Sequence, residues 1–384
     1  MRNEAQLRRE LREVELPRPD RERALAVVRA AFAERERVSW PRRHARSLAL
    51  AAAGAAIVAA VLSPPGRAVL ANVREAIGTE HAEPALFSLP APGRLLATSS
   101  AGSWVVAADG SKRLLGSYEE ASWSPFGRFV VAARANELIA LTPSGTVRWT
   151  LARPAVRFPR WGGTRVDTRV AYLSGRVLRL VAGDGTGDHP LAAGVDPVAP
   201  AWRPGSTFGL AFARRGTVVA INAKTGKELW RRPIGSVRSL SWSQSGRLLL
   251  VRGARSLVAL DARGRGRFDL LRSGPSAPVE AAALAPSGRA VAFVQRTDGR
   301  SELWVIPALR PDGSRAERIF SGRGLFTDVR WSPNGRWLLL AWQDADQWLF
   351  FRSAGIRSLR GVSNLSAQFE GGFPELGGWC CPSS

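Results

Sequence analysis

The residues able to do covalent or metal chemistry are few. The chain has two cysteines, the neighbours Cys380 and Cys381, and three histidines, His44, His81 and His189. Two cysteines exclude a disulfide scaffold and a four-cysteine zinc site. Cys380 and Cys381 form a possible redox pair with two outcomes. They bond to each other as a vicinal disulfide, or they stay separate thiols because side chains alternate faces along an extended strand; the alternation favours separate thiols. Asp184 and Asp188 in GDGTGDH (183–189) are the best calcium candidates. Calcium wants more oxygen ligands than two carboxylates supply, and a plain hairpin turn accounts for the pattern. Asp109-Gly110 and Asp298-Gly299 read as hairpin turns by the same logic. No Ser-His-Asp set, glycine-rich phosphate loop or histidine-rich cluster stands out. The sequence therefore assigns no catalytic residue, no cofactor and no metal ligand, and it reads as non-enzymatic.

The elements that would position a site are legible as a repeat. WSPFGRFVVAA begins at Trp123, WRPGSTFGLAFA at Trp202, WSQSGRLLLVR at Trp242, LAPSGRAVAFV at Leu284 and WSPNGRWLLLA at Trp331. A degenerate copy starts at Trp161 and a truncated one at Pro92; from Trp123 on, successive starts lie 38 to 47 residues apart. Gly127, Gly246, Gly288 and Gly335 take the turn position that needs positive φ. The apolar run after each turn predicts a strand buried on both faces. Three further strand patterns per unit, such as ELIALT, TVRWTL and SVRSLSW, predict four antiparallel strands per repeat. That is the signature of an all-β propeller, with the repeat anchors Trp123, Trp161, Trp202, Trp242, Leu284 and Trp331 packed between blades.

The WSPNGR and WSPFGR blocks resemble the WSPDG-type blades of TolB-like and WD-repeat-like propellers. TVVAINAKTGKELW (217–230) is similar to the blade of pyrroloquinoline-quinone-type propellers. The resemblance spans residues 86–384 and implies the fold; propellers serve too many functions for it to imply one. The Asp of WSPDG is missing from every copy, with Phe126, Ser245, Ser287 and Asn334 in or beside its place, and no quinone-site cluster carries over. Seven starts predict seven blades; six is the alternative if the Pro92 or Trp161 unit is incomplete. The segment 362–381 is expected to return and pair with 92–116, removing two open strand edges.

Residues 47–63, SLALAAAGAAIVAAVLS, carry no charge, and 13 arginines precede them in 46 residues against two in the twenty that follow. This asymmetry predicts a transmembrane helix with a cytoplasmic helical segment (1–46) and everything beyond it outside. A stem helix and linker (64–85) would lead to an extracytoplasmic propeller (86–384). A cleaved signal peptide and a buried alanine-rich helix are the alternatives. The net charge is +23, with 55 basic residues of which only Lys112, Lys224 and Lys227 are lysines. An arginine-rich surface suits anionic lipid head groups or an anionic envelope polymer, scattered solvated arginines are the plainer reading, and nucleic acid is not expected outside the membrane.

Three functions follow in order. The first is a monomeric, membrane-anchored binding platform of the cell envelope for an unknown protein or polymer. The second is a transmembrane signalling protein, resembling membrane anti-sigma factors in layout alone. The third is a propeller enzyme, a quinone-linked dehydrogenase or lactonase-like hydrolase.

Overall fold

The computed structural model describes residues 88–206, 208–271, 277–309, 315–353 and 359–381. The expected cytoplasmic segment, membrane span and stem lie outside these residues. Among the described residues no helix is long and apolar enough to cross a membrane.

Seven four-stranded antiparallel sheets form the blades. Each has an innermost strand a and an outermost strand d. In blade 2 these are Glu120–Trp123, Val130–Arg134, Glu137–Leu141 and Val147–Ala152. Blades 3 to 7 repeat the order from a strands at Val156–Gly163, Ala201–Trp202, Ser239–Trp242, Val279–Leu284 and Phe326–Trp331. Trp123, Trp202, Trp242 and Trp331 thus end the first strand of their own blades, and Trp161 lies two residues before the end of its strand; the strand before each Trp belongs to the sheet that follows rather than the one before.

Burial follows distance from the axis. The b strand Trp337–Trp342 of blade 7 is buried at every position, which is why it reads WLLLAW rather than alternating. The d strand Glu228–Pro233 of blade 4 is almost wholly exposed. The described residues share no single core. Seven apolar clusters among the described residues each lie between two neighbouring sheets, as Leu96, Val105, Val130 and Ile139 do between blades 1 and 2.

The turn between a and b is built from the repeated Ser-Pro-x-Gly pattern. In blade 2 the Gly127 N–H donates to Ser124 O at 2.9 Å, and the Phe129 N–H donates to the Ser124 hydroxyl at 3.0 Å. Ser243 and Ser332 repeat both bonds in blades 5 and 7. All three serines are buried, so the hydroxyl meets a backbone donor that water does not reach. Gly127, Gly246, Gly288 and Gly335 have φ of 65°, 64°, 72° and 67°, which a side chain would strain.

Blade 1 is composite. Its b, c and d strands are Arg94–Ser99, Gly102–Val106 and Lys112–Gly116, and its a strand is Glu375–Cys380 from the far end of the chain. The pairing runs antiparallel from Arg94 opposite Cys380 to Thr98 opposite Glu375. Leu376, buried, and Trp379 join the cluster that Leu95, Trp337 and Phe350 form between blades 7 and 1.

Deleting residues 375–384 exposes the edge of Arg94–Ser99 and removes two large side chains from that cluster. It is expected to cost more than about 4 kcal/mol and to lower the melting temperature of the full chain. Equal resistance of the truncated chain to heat and protease would refute closure by this strand.

Candidate functional site

The a strands of successive blades face one another around the axis, and five of them begin at the wall of one cavity of about 660 Å³. It is lined by five carboxylates, Glu119, Glu120, Glu280, Asp328 and Glu375, and by three guanidinium groups, Arg157, Arg160 and Arg330. A protein with a large positive charge therefore has a funnel in which acids outnumber bases.

The charges are held by neighbouring blades. Arg330 pairs with Asp328 at 2.8 Å and donates to Leu376 O at 3.3 Å on the closing strand of blade 1. The Val329 N–H donates to Asp328 Oδ1 at 2.7 Å. Glu120 of blade 2 accepts the Phe158 N–H of blade 3 at 2.7 Å and faces Arg157 at 3.4 Å. Phe158 has φ 54°, a left-handed conformation that costs roughly 1–3 kcal/mol in a bulky residue, and the Glu120 carboxylate stands at its amide. The register of the strand slips here between Arg157 and Arg160.

Burial pushes the Asp328 carboxyl above the usual carboxylate range, with Arg330 pulling the other way. Burial lowers Arg160, which Glu120 partly offsets and Arg330 reinforces, and it lowers Arg252 beside Asp328 and Glu280. Arginine stays protonated even so. The funnel thus presents fixed positive charges and a surplus of carboxylates, suited to gripping a charged, hydrogen-bonding ligand. Among the described residues no group of three or more His, Cys, Asp or Glu is arranged to hold a metal ion.

The repeat anchors sit toward the far ends of the a strands, where the tryptophans clasp neighbouring blades. The indole N–H of Trp123 donates to Gly378 O at 3.3 Å, Trp202 to Arg160 O at 2.8 Å, Trp242 to Ala201 O at 3.1 Å and Trp331 to Ala283 O at 3.2 Å. Each acceptor precedes the anchor position of the previous blade. Trp202 lies so close over Gly162 that a Cβ there would collide with the indole ring. Trp161 stacks on Phe129 at 5.6 Å, but its buried N–H has no partner among the described residues. Leu284 has no donor and packs in the cluster between blades 5 and 6. Blade 1 has an anchor that the sequence reading missed, Trp379; GGWCCP at the chain end matches the SWSP pattern loosely enough to escape notice.

Asp188 does not serve a calcium loop. It accepts from Arg179, from Arg153 at 2.8 Å and from the Tyr172 hydroxyl at 2.6 Å, while Asp184 accepts the Thr186 N–H and hydroxyl within its own turn. Cys380 and Cys381 are joined as a disulfide. Strand alternation does not separate them, because the strand ends at Cys380 and Cys381 turns to φ 47°. The Cys381 sulfur packs against Gly127 in the first turn of blade 2.

Two outer tryptophans repeat a second clasp. Trp149 donates to Gly183 O at 2.9 Å and Trp230 to Ala262 O at 3.1 Å, each reaching the next blade with its ring over Gly185 or Gly264. These stretches fall in the part of the chain, residues 122–238 and 174–306, that matches the sequence model of the family described as outer membrane protein assembly factor BamB. The chain is a β-propeller with repeats of the pyrroloquinoline-quinone type.

No curated protein matches the chain. Solved structures similar to this propeller of quinone-type repeats include a chain of a mitotic checkpoint complex, 18% identical, with 68% of this chain and 86% of that one covered and a TM-score of 0.52. A putative 6-phosphogluconolactonase from Bacteroides uniformis is 13% identical over 71% of this chain and 97% of its own, with a TM-score of 0.52. The β-propeller domain of Cps50 (Swd1) from Myceliophteria thermophila is 15% identical over 64% and 86%, with a TM-score of 0.50. At these identities the likeness is one of fold.

Burial alone would raise the Asp188 carboxyl, but the bonds from Arg179, Tyr172 and Arg153 hold it below the usual range. A lowered carboxyl stabilises the fold above its unfolded pKa of about 3.9, and that contribution is lost as pH falls through the lowered value. Asp188→Asn is therefore expected to cost about 3 kcal/mol at pH 7, with the gap to the wild type closing below about pH 4. Melting curves at both pH values check this; a gap that persists unchanged in acid would refute it.

Proposed function

We propose that this propeller is a non-enzymatic binding platform whose funnel receives a cationic segment of a protein partner, and that residues 47–63 anchor it to the cell membrane with the propeller outside. The observation that carries the binding reading is the excess of carboxylates at the funnel wall, Glu119, Glu120, Glu280, Asp328 and Glu375 against three arginines. A rigid ring supports such a site, since the funnel charges sit at strand starts rather than on long loops. The match of residues 122–238 and 174–306 to an outer-membrane assembly factor supports an envelope role for these repeats. The uncharged run at 47–63 and the arginines before it support the anchor and its direction.

Two measurements test the two halves separately. Random peptides selected on the immobilised full-length protein are expected to be rich in Lys and Arg. Their affinity should fall about tenfold in the triple variant E119Q/E280Q/E375Q, at roughly 0.5 kcal/mol per solvent-accessible pair. Selected peptides that bind the variant equally would remove the funnel as the site. For the anchor, a reporter active only after export, fused behind Ser384, should be active; an inactive fusion, with activity instead from a reporter that works only in the cytoplasm, would reverse the topology.

A further inference from the structure

The two ends of the blades differ. The funnel lies where the a strands begin. In an antiparallel meander the a–b and c–d turns share the opposite end. The sequence places an arginine in or beside every a–b turn, and the structure divides these arginines into two kinds. Arg94 and Arg203 are clasps: each donates to the turn glycine of the next blade, Gly127 O at 2.7 Å and Gly246 O at 2.8 Å, and lies over Trp123 or Trp242. Arg128, Arg165, Arg247, Arg289 and Arg336 are exposed. None of these five is in an ion pair among the described residues, although the same chain pairs arginine with carboxylate at Arg134, Arg231 and Arg318.

The c–d turns add to this charge. They expose Lys224, Lys227, Arg263 and Arg265, while the acids they expose among the described residues are Asp109 and Asp184. Asp261 is spent inside its turn, accepting the N–H groups of Arg263, Arg265 and Gly266.

Apolar side chains protrude from the same face. Val166, beside Arg165, is 97% exposed, and Phe126, in the turn of Arg128, is 43% exposed with Arg165 stacked over it at 5.3 Å. Exposed apolar tips among unpaired cations fit a surface that is anionic at its headgroups and apolar just beneath them. A soluble polyanion would use the arginines and leave Val166 in water. On this face the Leu89 N–H donates to Ala108 O in the c–d turn of blade 1, and Leu89 lies twenty-six residues after Ser63 in the sequence.

We propose that the face formed by the a–b turns docks on an anionic lipid bilayer, with Phe126 and Val166 entering the headgroup layer and the five unpaired arginines binding lipid phosphates. The funnel then opens away from the membrane. Docking does not depend on an anchor at 47–63.

The test uses the full-length chain carrying Val166→Cys labelled with a polarity-sensitive dye. It is mixed with vesicles of phosphatidylcholine alone or with phosphatidylglycerol. The expected result is a blue shift of the dye with phosphatidylglycerol only. The share of docked protein should fall about fivefold for each arginine changed to glutamine, and the shift should vanish in R128Q/R165Q/R247Q/R289Q/R336Q. These positions are exposed, so an unchanged melting curve checks the fold. No shift with phosphatidylglycerol, or an equal shift in the five-fold variant, overturns the proposal. A shift reproduced by soluble polyphosphate also overturns it and assigns the face to a polymer instead. Flotation with pure phosphatidylcholine vesicles reports the anchor separately, so either reading can fail alone.

Discussion

Everything in this molecule rests on a strand pair between residues that lie far apart in the sequence. No apolar cluster among the described residues belongs to one blade; each is shared by two neighbouring sheets. A ring of such sheets is stable only if no sheet lacks a neighbour, and the last neighbour is made when Glu375–Cys380 pairs with Arg94–Ser99. The pair also supplies the funnel with Glu375 and brings Leu376 O to Arg330. The Gly378 carbonyl from the same strand receives the Trp123 clasp. Closure, site and inter-blade bonding thus share six residues.

Electrostatics divides the propeller along its axis. At the strand starts, acids and arginines sit in mutual range, and burial works against both, raising Asp328 and lowering Arg160. Such groups are restrained by partners and little free to rearrange. At the strand ends Arg128, Arg165, Arg247, Arg289 and Arg336 are solvated and outside any ion pair among the described residues, which is inexpensive for the fold. One end holds its charges in mutual range and the other leaves them in solvent, with the ring of blades between them.

Much of the fold was readable from the chain because propeller blades depend on local rules. Ser-Pro-x-Gly dictates the turn, and uninterrupted apolar runs such as WLLLA dictate strands covered on both faces. The composite first blade was readable because three strands at 92–116 need a fourth. The funnel was not readable. Glu119, Glu280, Asp328 and Glu375 are scattered over more than 250 residues and follow no shared motif; only the closing of the ring brings them together. Trp379 was hidden because its repeat is split between the chain ends. The bond between Cys380 and Cys381 depends on where the strand stops, and no local pattern states that. The arginine beside each turn was visible in the letters, but its division into clasps and free charges needed the neighbouring blade.

The split blade has a consequence for how the protein is made. Its first three strands leave the ribosome long before their partner does, and through most of synthesis the Arg94–Ser99 edge has no mate. Sheets assembled in that interval stack one-sidedly, as an open arc with an uncovered face at either end. Such an arc offers both the unpaired strand and the bare apolar face that invite misassembly. A chain interrupted before Glu375 lacks the closing strand and remains in that form. Chaperones and proteases that recognise open edges would need no other signal to discard unfinished copies.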